Sequence, residues 1–282
     1  MYIIFLLIKM SLSSINKHPR DDNIRFVEET HEYFINGSKE GYISTTTLVH
    51  SLFEHFDADN VIEKMRKSKN WNKYNKYFNM SNDEIKKLWE DNRDYAATEG
   101  TKMHLNIEKY YNNEDHEKDN KEFSLFQMYL DETNYNAFRT EWVIYDEESK
   151  ISGSVDMVYK DPLDGKYIIA DWKRSKEIKM SNRWQSGNHP ITHDLDDCNF
   201  IHYSLQLCIY KAILEKNYGI VVKDCFLVIL HPSQEKYIKI TTRNMEEYVK
   251  KIINMRTNVG TKINYKNEIT IKHNFDMSKL KF

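Results

Sequence analysis

The sequence has few cysteines. It holds 3 in 282 residues, Cys198, Cys208 and Cys225, an odd number with no C-x-x-C spacing. This pattern argues against a disulfide scaffold, a structural zinc site and an iron–sulfur cluster. We therefore expect buried thiols in a reducing compartment. The protein would be intracellular and without disulfide partners, whether in the cytoplasm, the nucleus, a mitochondrion or a viral factory.

Strong net charge and long hydrophobic runs are also missing. The formal net charge is −2, so no overall positive field predicts nucleic-acid binding, which would need a local basic patch. The apolar residues 1–8 are too few to span a bilayer, and no basic segment precedes them. We expect residues 1–23 to form a poorly ordered leader, residues 24–282 to form a single domain, and no membrane contact.

Loop-marking residues are scarce, with 4 Pro and 8 Gly, so the elements are read from periodicity. A short hairpin over 24–36 precedes helices over 59–111 and 121–134, with Ser81 and Glu84 forming a capping box. The later elements predicted are strands over 140–146, 150–160 and 166–173, a helix over 199–217, strands over 225–230 and 237–241, and a helix over 244–256. This order predicts an α/β fold, with a central mixed β-sheet flanked by helices and a helical N-terminal layer.

The segment K-Y-I-I-A-D-W-K (166–173) contains the first cluster of chemically active residues. Side chains alternate along a strand, so Asp171 and Lys173 share one face. If the preceding strand pairs through the turn at 161–165, Asp156 comes close to them. Two carboxylates beside a lysine are costly unless a hard cation such as Mg²⁺ or Mn²⁺ is bound between them. Taken alone, Asp-x-Lys is also typical of a surface ion pair on an edge strand.

Four short motifs in order resemble those of one protein family. The motifs are G-S-V-D (153–156), I-I-A-D-W-K (168–173), G-T-K-M-H (100–104) and Y-S-L-Q-L-C-I-Y (203–210). Together they resemble the PD-(D/E)XK nuclease superfamily, in its RecB-like and lambda-exonuclease-like branch. H-E-Y-F-I-N-G (31–37) followed by S-T-T-T (44–47) is similar to the start of the mitochondrial and large-DNA-virus members. Val155 stands where the family name has proline.

The resemblance implies a restriction-endonuclease-like core and a metal-dependent nuclease. The implied substrate is DNA, cut by an exonuclease acting on ends or single strands in repair, recombination or replication. Mg²⁺ or Mn²⁺ is the implied cofactor. The implied metal ligands are His104, Asp156, Asp171 and the Trp172 carbonyl. Lys173 would be the catalytic lysine, Gln206 and Tyr210 would support catalysis at the site or touch DNA, and Glu108 and Glu141 are accessory candidates.

Basic residues directly after the catalytic strand are the candidate nucleic-acid contacts: Arg174, Lys176, Lys179 and Arg183. A second basic and aromatic stretch, 64–78, is either another contact or an amphipathic helix with core aromatics. The histidines and aspartates of 189–197 are either a loop with capping carboxylates or a zinc site. An RNA-directed nuclease on the same fold and a non-catalytic DNA-binding scaffold remain open alternatives. The oligomeric state is not predicted.

Overall fold

Helices cover both faces of a six-stranded mixed sheet in the computed structural model, which describes residues 10–261 and their side chains as far as residue 258. The predicted α/β class with a central mixed sheet is confirmed. The helices are α1 (Leu12–Ile15), a 3-10 helix (Pro19–Asn23), α2 (Thr45–His50), α3 (Ala58–Arg66), α4 (Asn82–Tyr111), α5 (Lys121–Asp131), α6 (Asn199–Asn217) and α7 (Glu246–Thr261). The strands are β1 (Ile24–Val27), β2 (Glu32–Ile35), β3 (Ile43–Ser44), β4 (Asn136–Asp146), β5 (Ile151–Lys160), β6 (Tyr167–Lys173), β7 (Val222–Ile229) and β8 (Ile238–Thr241).

The segment expected to be a poorly ordered leader is partly structured. Residues 1–9 lie outside the described residues, whereas residues 10–23 form α1 and the 3-10 helix and contact β4. Hydrogen bonds to β4, more than 100 residues away in the chain, hold this segment in place. Among the described residues, no helix is both long enough and apolar enough to cross a membrane.

Strand β5 is the centre of the sheet. It pairs with β4 along its whole length in an antiparallel register, and on its other edge with β3 and β6. Strand β6 continues the sheet into β7 in parallel, and β7 pairs with β8 antiparallel. The hairpin β1–β2 forms a separate two-stranded sheet, at the position that the sequence predicted.

The two faces of β6 enter different cores, as its alternation predicts. Ile168, Ala170 and Trp172 pack against α4 and α5 in one buried cluster. Ile169 packs in another cluster with residues of α2, α6 and α7. The polar side chains Asp171 and Lys173 follow Ile169 on the face toward α6. All three cysteines are buried and free.

Side-chain caps mark the starts of α2 and α4, whereas one stretch that could have been a single helix is not one. Ser81 and Glu84 form the predicted capping box at the start of α4. Ser44 caps α2, which begins at Thr45. The basic and aromatic stretch 64–78 is not one helix, because α3 ends at Arg66 and turns lead to α4.

Candidate active site

The candidate site lies where β5 and β6 separate. Their ladder ends at the pair Met157 and Ala170, although the same register would bring Asp156 opposite Asp171. In place of a backbone bond, Asp156 Oδ2 accepts a hydrogen bond of 2.9 Å from the Trp172 N–H. The Asp156 side chain therefore bridges the gap between the two strands, next to Asp171.

His104 reaches the same gap from α4. Its Nε2 lies 2.9 Å from the Trp172 carbonyl oxygen, which can only accept, so Nε2 is the protonated nitrogen. Its Nδ1 lies 3.4 Å from a Glu141 carboxylate oxygen and 3.5 Å from Asp156 Oδ2. A carbonyl that fixes one ring nitrogen while the other faces carboxylates is the arrangement found around metal-binding histidines. The Trp172 carbonyl was expected to bind the metal. In this structure it accepts a hydrogen bond from His104.

Glu141 sits on β4 in an unusual backbone conformation. The pairs Thr140 with Met157 and Trp142 with Val155 flank it, so the register puts Glu141 opposite Asp156. Its φ is 42°, in the left-handed region, which costs a non-glycine residue about 1–3 kcal/mol. Ser154 Oγ donates a hydrogen bond of 3.3 Å to Glu141 Oε2. Backbone strain at a charged residue beside a site is typical of functional constraint.

The donor atoms fit a hard divalent cation. Among the described residues, the group of ligand atoms lying within 4.8 Å of one another comes from His104, Glu141 and Asp156. Two carboxylates and one imidazole are a donor set that Mg²⁺ or Mn²⁺ accepts, the carboxylates being the preferred part. Asp171, expected as a ligand, is not in this group. The weakly favoured Glu141 takes part in its place.

Asp171 and Lys173 form a buried ion pair beside this group. Lys173 Nζ lies 2.6 Å from Asp171 Oδ2, and the Asp171 side chain is only 4% exposed. Lys173 Nζ also lies 4.5 Å from the ring centroid of Tyr203, a buried residue of α6. A carboxylate and an aromatic face thus hold the ammonium group in one position.

The electrostatics of the site follow from burying several charges together. Burial would lower the pKa of His104, but the negative charges of Asp156 and Glu141 outweigh it and raise the pKa to about 9. Burial and the neighbouring Asp156 raise the pKa of Asp171 to about 6. Burial likewise raises the pKa of Asp156. Burial would lower the pKa of Lys173, but Asp171 and other neighbours keep it above its ordinary value. Crowded carboxylates with raised pKa values are relieved when a cation binds.

Gln206 and Tyr210 contact the back of the site from α6. Gln206 Nε2 donates to Thr46 Oγ1 at 3.0 Å and to the Tyr210 hydroxyl at 3.2 Å. The Tyr210 ring packs directly over Gly153 of β5, where a Cβ atom would lie 2.5 Å from Tyr210 Cε1. These two side chains therefore join α6, α2 and β5, which places them in a supporting position.

The remaining predicted residues lie in three different environments. Glu108 is one turn along α4 from His104 but is outside the metal-ligand group, and burial raises its pKa. Arg174 Nε is 2.7 Å from Glu122, and the two side chains are 8% and 15% exposed. Lys176, Lys179 and Arg183 are exposed on the loop after β6.

The loop with several histidines and aspartates does not form a second ligand group among the described residues. Its Asp194 accepts from Tyr248, and Asp197 pairs with His202 of α6. The tertiary contacts of these carboxylates favour the structural interpretation over the zinc site.

Sequence reasoning missed three side chains. Tyr203 opens the motif at 203–210, but its contact with Lys173 was not foreseen. Glu122, the partner of Arg174, has no local signal because it lies 52 residues away. Trp184, next to Arg183, is 93% exposed, and an exposed tryptophan beside basic residues could have been marked as a base-stacking candidate.

Comparison with known proteins supplies a family match. The model of the PD-(D/E)XK nuclease superfamily matches residues 43–273. The solved structure of a protein called SSO0001 is 17% identical with a TM-score of 0.33, covering 80% of this chain and 79% of that one. A candidate exonuclease from Eubacterium rectale is 12% identical with a TM-score of 0.34, covering 78% of this chain and 79% of that one. No curated protein matches the chain.

Proposed function

Because this chain belongs to the PD-(D/E)XK nuclease superfamily, we propose that it is a metal-dependent nuclease that hydrolyses DNA phosphodiester bonds. The observation that carries the proposal is the meeting of four elements at one gap in the sheet. His104 comes from α4, Glu141 from β4, Asp156 from β5, and the pair Asp171 and Lys173 from β6. Each of these groups would be costly in that position without a charged ligand.

Each residue has a distinct task in this proposal. His104, Glu141 and Asp156 hold a divalent cation, and Asp171 provides a further carboxylate at the adjacent strand end. A cation bound there supplies Lewis-acid stabilisation of a phosphodiester oxygen. Lys173 Nζ, held against Asp171, offsets the negative charge that develops on phosphorus oxygens or orients the attacking water. Gln206 and Tyr210 hold α6 in position against β5.

The finer assignments are supported by resemblance alone. They are exonuclease action on DNA ends or single strands, Mg²⁺ or Mn²⁺ as the cofactor, and a role in repair, recombination or replication. We propose that residues 24–282 form one domain, to which residues 10–23 add by packing on β4, in a reducing intracellular compartment. The DNA preference is an analogy drawn from the branch that the motifs resemble.

The proposal is tested with end-labelled DNA. We expect the full-length protein to degrade single-stranded or end-containing DNA with Mn²⁺ or Mg²⁺ and not with EDTA, and to lose this activity as Asp171→Ala. Matched RNA oligonucleotides and covalently closed circular DNA are assayed in parallel. Faster digestion of RNA would identify an RNA-directed nuclease, and cutting of closed circles would identify an endonuclease. Metal-independent binding without cleavage across a panel of divalent metals would identify a non-catalytic DNA-binding scaffold.

We predict that the exposed basic residues bind the substrate and that Arg174 does not. Lys176 and Arg183 are exposed on the loop that carries Trp184 and form no ion pair among the described residues, whereas Arg174 is paired with Glu122. Replacing both Lys176 and Arg183 with glutamine should weaken DNA binding several-fold. The same change should reduce the salt dependence of the binding constant by about 1 to 2 units of slope, because two phosphate contacts are lost.

The measurement is fluorescence anisotropy with labelled single-stranded DNA over a range of salt concentrations. A Lys173→Met background keeps the DNA intact during the titration. Arg174→Gln serves as the matched control, with an expected loss of thermal stability and an unchanged salt slope. An equal slope change in the control would mean that Arg174 leaves Glu122 to contact DNA.

A further inference from the structure

The N-terminal strap, which we define as residues 10–23, lies on β4 around Glu141. It precedes the region that the superfamily model matches, residues 43–273. Asn16 Nδ2 donates a hydrogen bond of 2.8 Å to the Phe138 carbonyl, and Arg139 Nη1 donates one of 3.1 Å to the Asn16 carbonyl. The strap is therefore attached to β4 immediately before the strained residue.

The carboxylate of Asp21 joins the two sides of Glu141. Its Oδ2 accepts from Arg139 Nη1 at 2.7 Å, and its Oδ1 accepts from Trp142 Nε1 at 2.9 Å. Arg139 is 5% exposed and Trp142 is 1% exposed, so both bonds are shielded from water. Burial alone would raise the pKa of Asp21, but its hydrogen bonds outweigh this effect and lower the pKa, which keeps the group ionised.

The two hydrogen bonds of Asp21 span the unusual backbone conformation of Glu141. In a regular strand, residues three apart point to opposite faces of the sheet. Arg139 and Trp142 are three apart, yet one carboxylate binds both, and the guanidinium lies 4.6 Å from the Trp142 ring centroid. Glu141, with a φ of 42°, lies between these two residues, and the register of β4 against β5 shifts just before them, between Ala137 and Arg139. Such a conformation persists only where the surroundings fix it.

The same strap also reaches the helix that carries His104. The Leu12 N–H donates 2.9 Å to Asn112 Oδ1 at the end of α4, and Asn112 Nδ2 donates 3.2 Å to Thr140 Oγ1. The strap thus links β4 and α4, the two elements whose side chains face each other across the candidate metal centre.

We propose that Asp21 is a positioning residue that holds Glu141 toward His104 and Asp156, so that cation affinity depends on the N-terminal strap. The inference rests on the proposed function, in which Glu141 is a metal ligand. Asp21 itself touches neither cation nor substrate. It acts by holding Arg139 and Trp142, and so fixes the backbone conformation of Glu141 between them. Residues that do not touch the metal commonly orient its ligands in this way.

The test measures Mn²⁺ binding to the full-length protein by electron paramagnetic resonance of free Mn²⁺, without substrate. Asp21→Asn replaces one acceptor oxygen with an amide that faces the Arg139 or Trp142 donor. We expect it to weaken Mn²⁺ binding by about tenfold, the lower range for residues that orient metal ligands. If this variant does not fold, Trp142→Phe removes the Oδ1 contact, keeps the contact of Arg139 with Oδ2, and should weaken binding in the same direction.

Arg20→Ala is the matched control. It detaches the same strap from the Tyr145 carbonyl and Glu147 while leaving the Asp21 contacts in place. It should lower thermal stability and change Mn²⁺ affinity by less than about twofold. Equal losses of affinity in Arg20→Ala and Asp21→Asn would reduce the strap to a general stabiliser and overturn the inference.

A double-mutant comparison separates this inference from the proposed function. Glu141→Gln should weaken Mn²⁺ binding, and adding Asp21→Asn to it should have little further effect, because the two act through one ligand. Full affinity in Glu141→Gln would refute the ligand role of Glu141 and with it the proposed site. A normal effect of Glu141→Gln with unchanged affinity in Asp21→Asn, or with additive losses in the double variant, would refute only the role of Asp21.

Discussion

Lys173→Met is expected to slow DNA hydrolysis by about a hundredfold or more, the loss typical of removing one preorganised charge from a transition state. Methionine keeps the length and most of the volume of the side chain but removes the ammonium group. Lys173 Nζ lies 2.6 Å from Asp171 Oδ2 and 4.5 Å from the Tyr203 ring centroid, so its charge is held in one position beside the metal-ligand group. The measurement is the single-turnover rate on end-labelled DNA with saturating Mn²⁺.

Two further measurements keep this result interpretable. Mn²⁺ affinity should be unchanged or tighter in Lys173→Met, because the lost positive charge lies beside the metal-ligand group. Lys160→Met is the matched control. Its ammonium also lies over a tyrosine ring, that of Tyr167, but at the far end of the same hairpin. It should cleave DNA at the wild-type rate. Unimpaired cleavage by a folded Lys173→Met protein would remove this residue from the mechanism.

Gly153→Ala is expected to lower the free energy of unfolding by roughly 1–3 kcal/mol, the usual cost of inserting a methyl group into a packed interior. The new Cβ would lie 2.5 Å from Tyr210 Cε1 and 3.1 Å from Thr45 Oγ1. The obstacle is a buried ring and not the end of a flexible chain, so α6 or β5 must move. Because β5 carries Asp156, the rate of DNA cleavage should fall as well. Urea unfolding followed by circular dichroism measures the change in stability.

Gly100→Ala is the matched control for this prediction. Gly100 lies in α4 with no heavy atom within 4 Å of an added Cβ, so alanine should be neutral or stabilise the helix by about 0.5–1 kcal/mol. Combining Gly153→Ala with Tyr210→Leu should recover part of the lost stability, since it removes the ring. Wild-type stability in Gly153→Ala alone would mean that Tyr210 does not pack on β5 as described.

Local rules were sufficient for much of the fold. The period of two along 166–173 predicted which residues of β6 enter a core and which carry charge. The Ser81 and Glu84 capping box predicted the start of α4, and the helix 199–217 was predicted with its bounds. These features depend on residues within a few positions of each other, which is the range over which propensity and capping act.

The candidate site was foreseen in part, through resemblance as well as spacing. His104, Asp156, Asp171 and Lys173 were named from motifs, but their distances were not. The ranking within the site also differed, since Glu141 belongs to the metal-ligand group and Asp171 pairs with Lys173. Arg174, predicted as a nucleic-acid contact, forms a shielded ion pair with Glu122, which the sequence did not indicate.

By itself, the sequence determined the alternation, the caps and the order of elements, because each of these is written in neighbouring residues. Only the tertiary structure decided that β5 and β6 separate at Asp156, that Glu141 adopts a positive φ, and that residues 10–23 hold β4. These outcomes depend on partners that are far apart in the chain, such as Asp21 and Trp142, which are in contact although 121 residues separate them in sequence. A strained backbone and a buried ion pair form only where such distant groups make them stable. A local sequence pattern therefore cannot predict them.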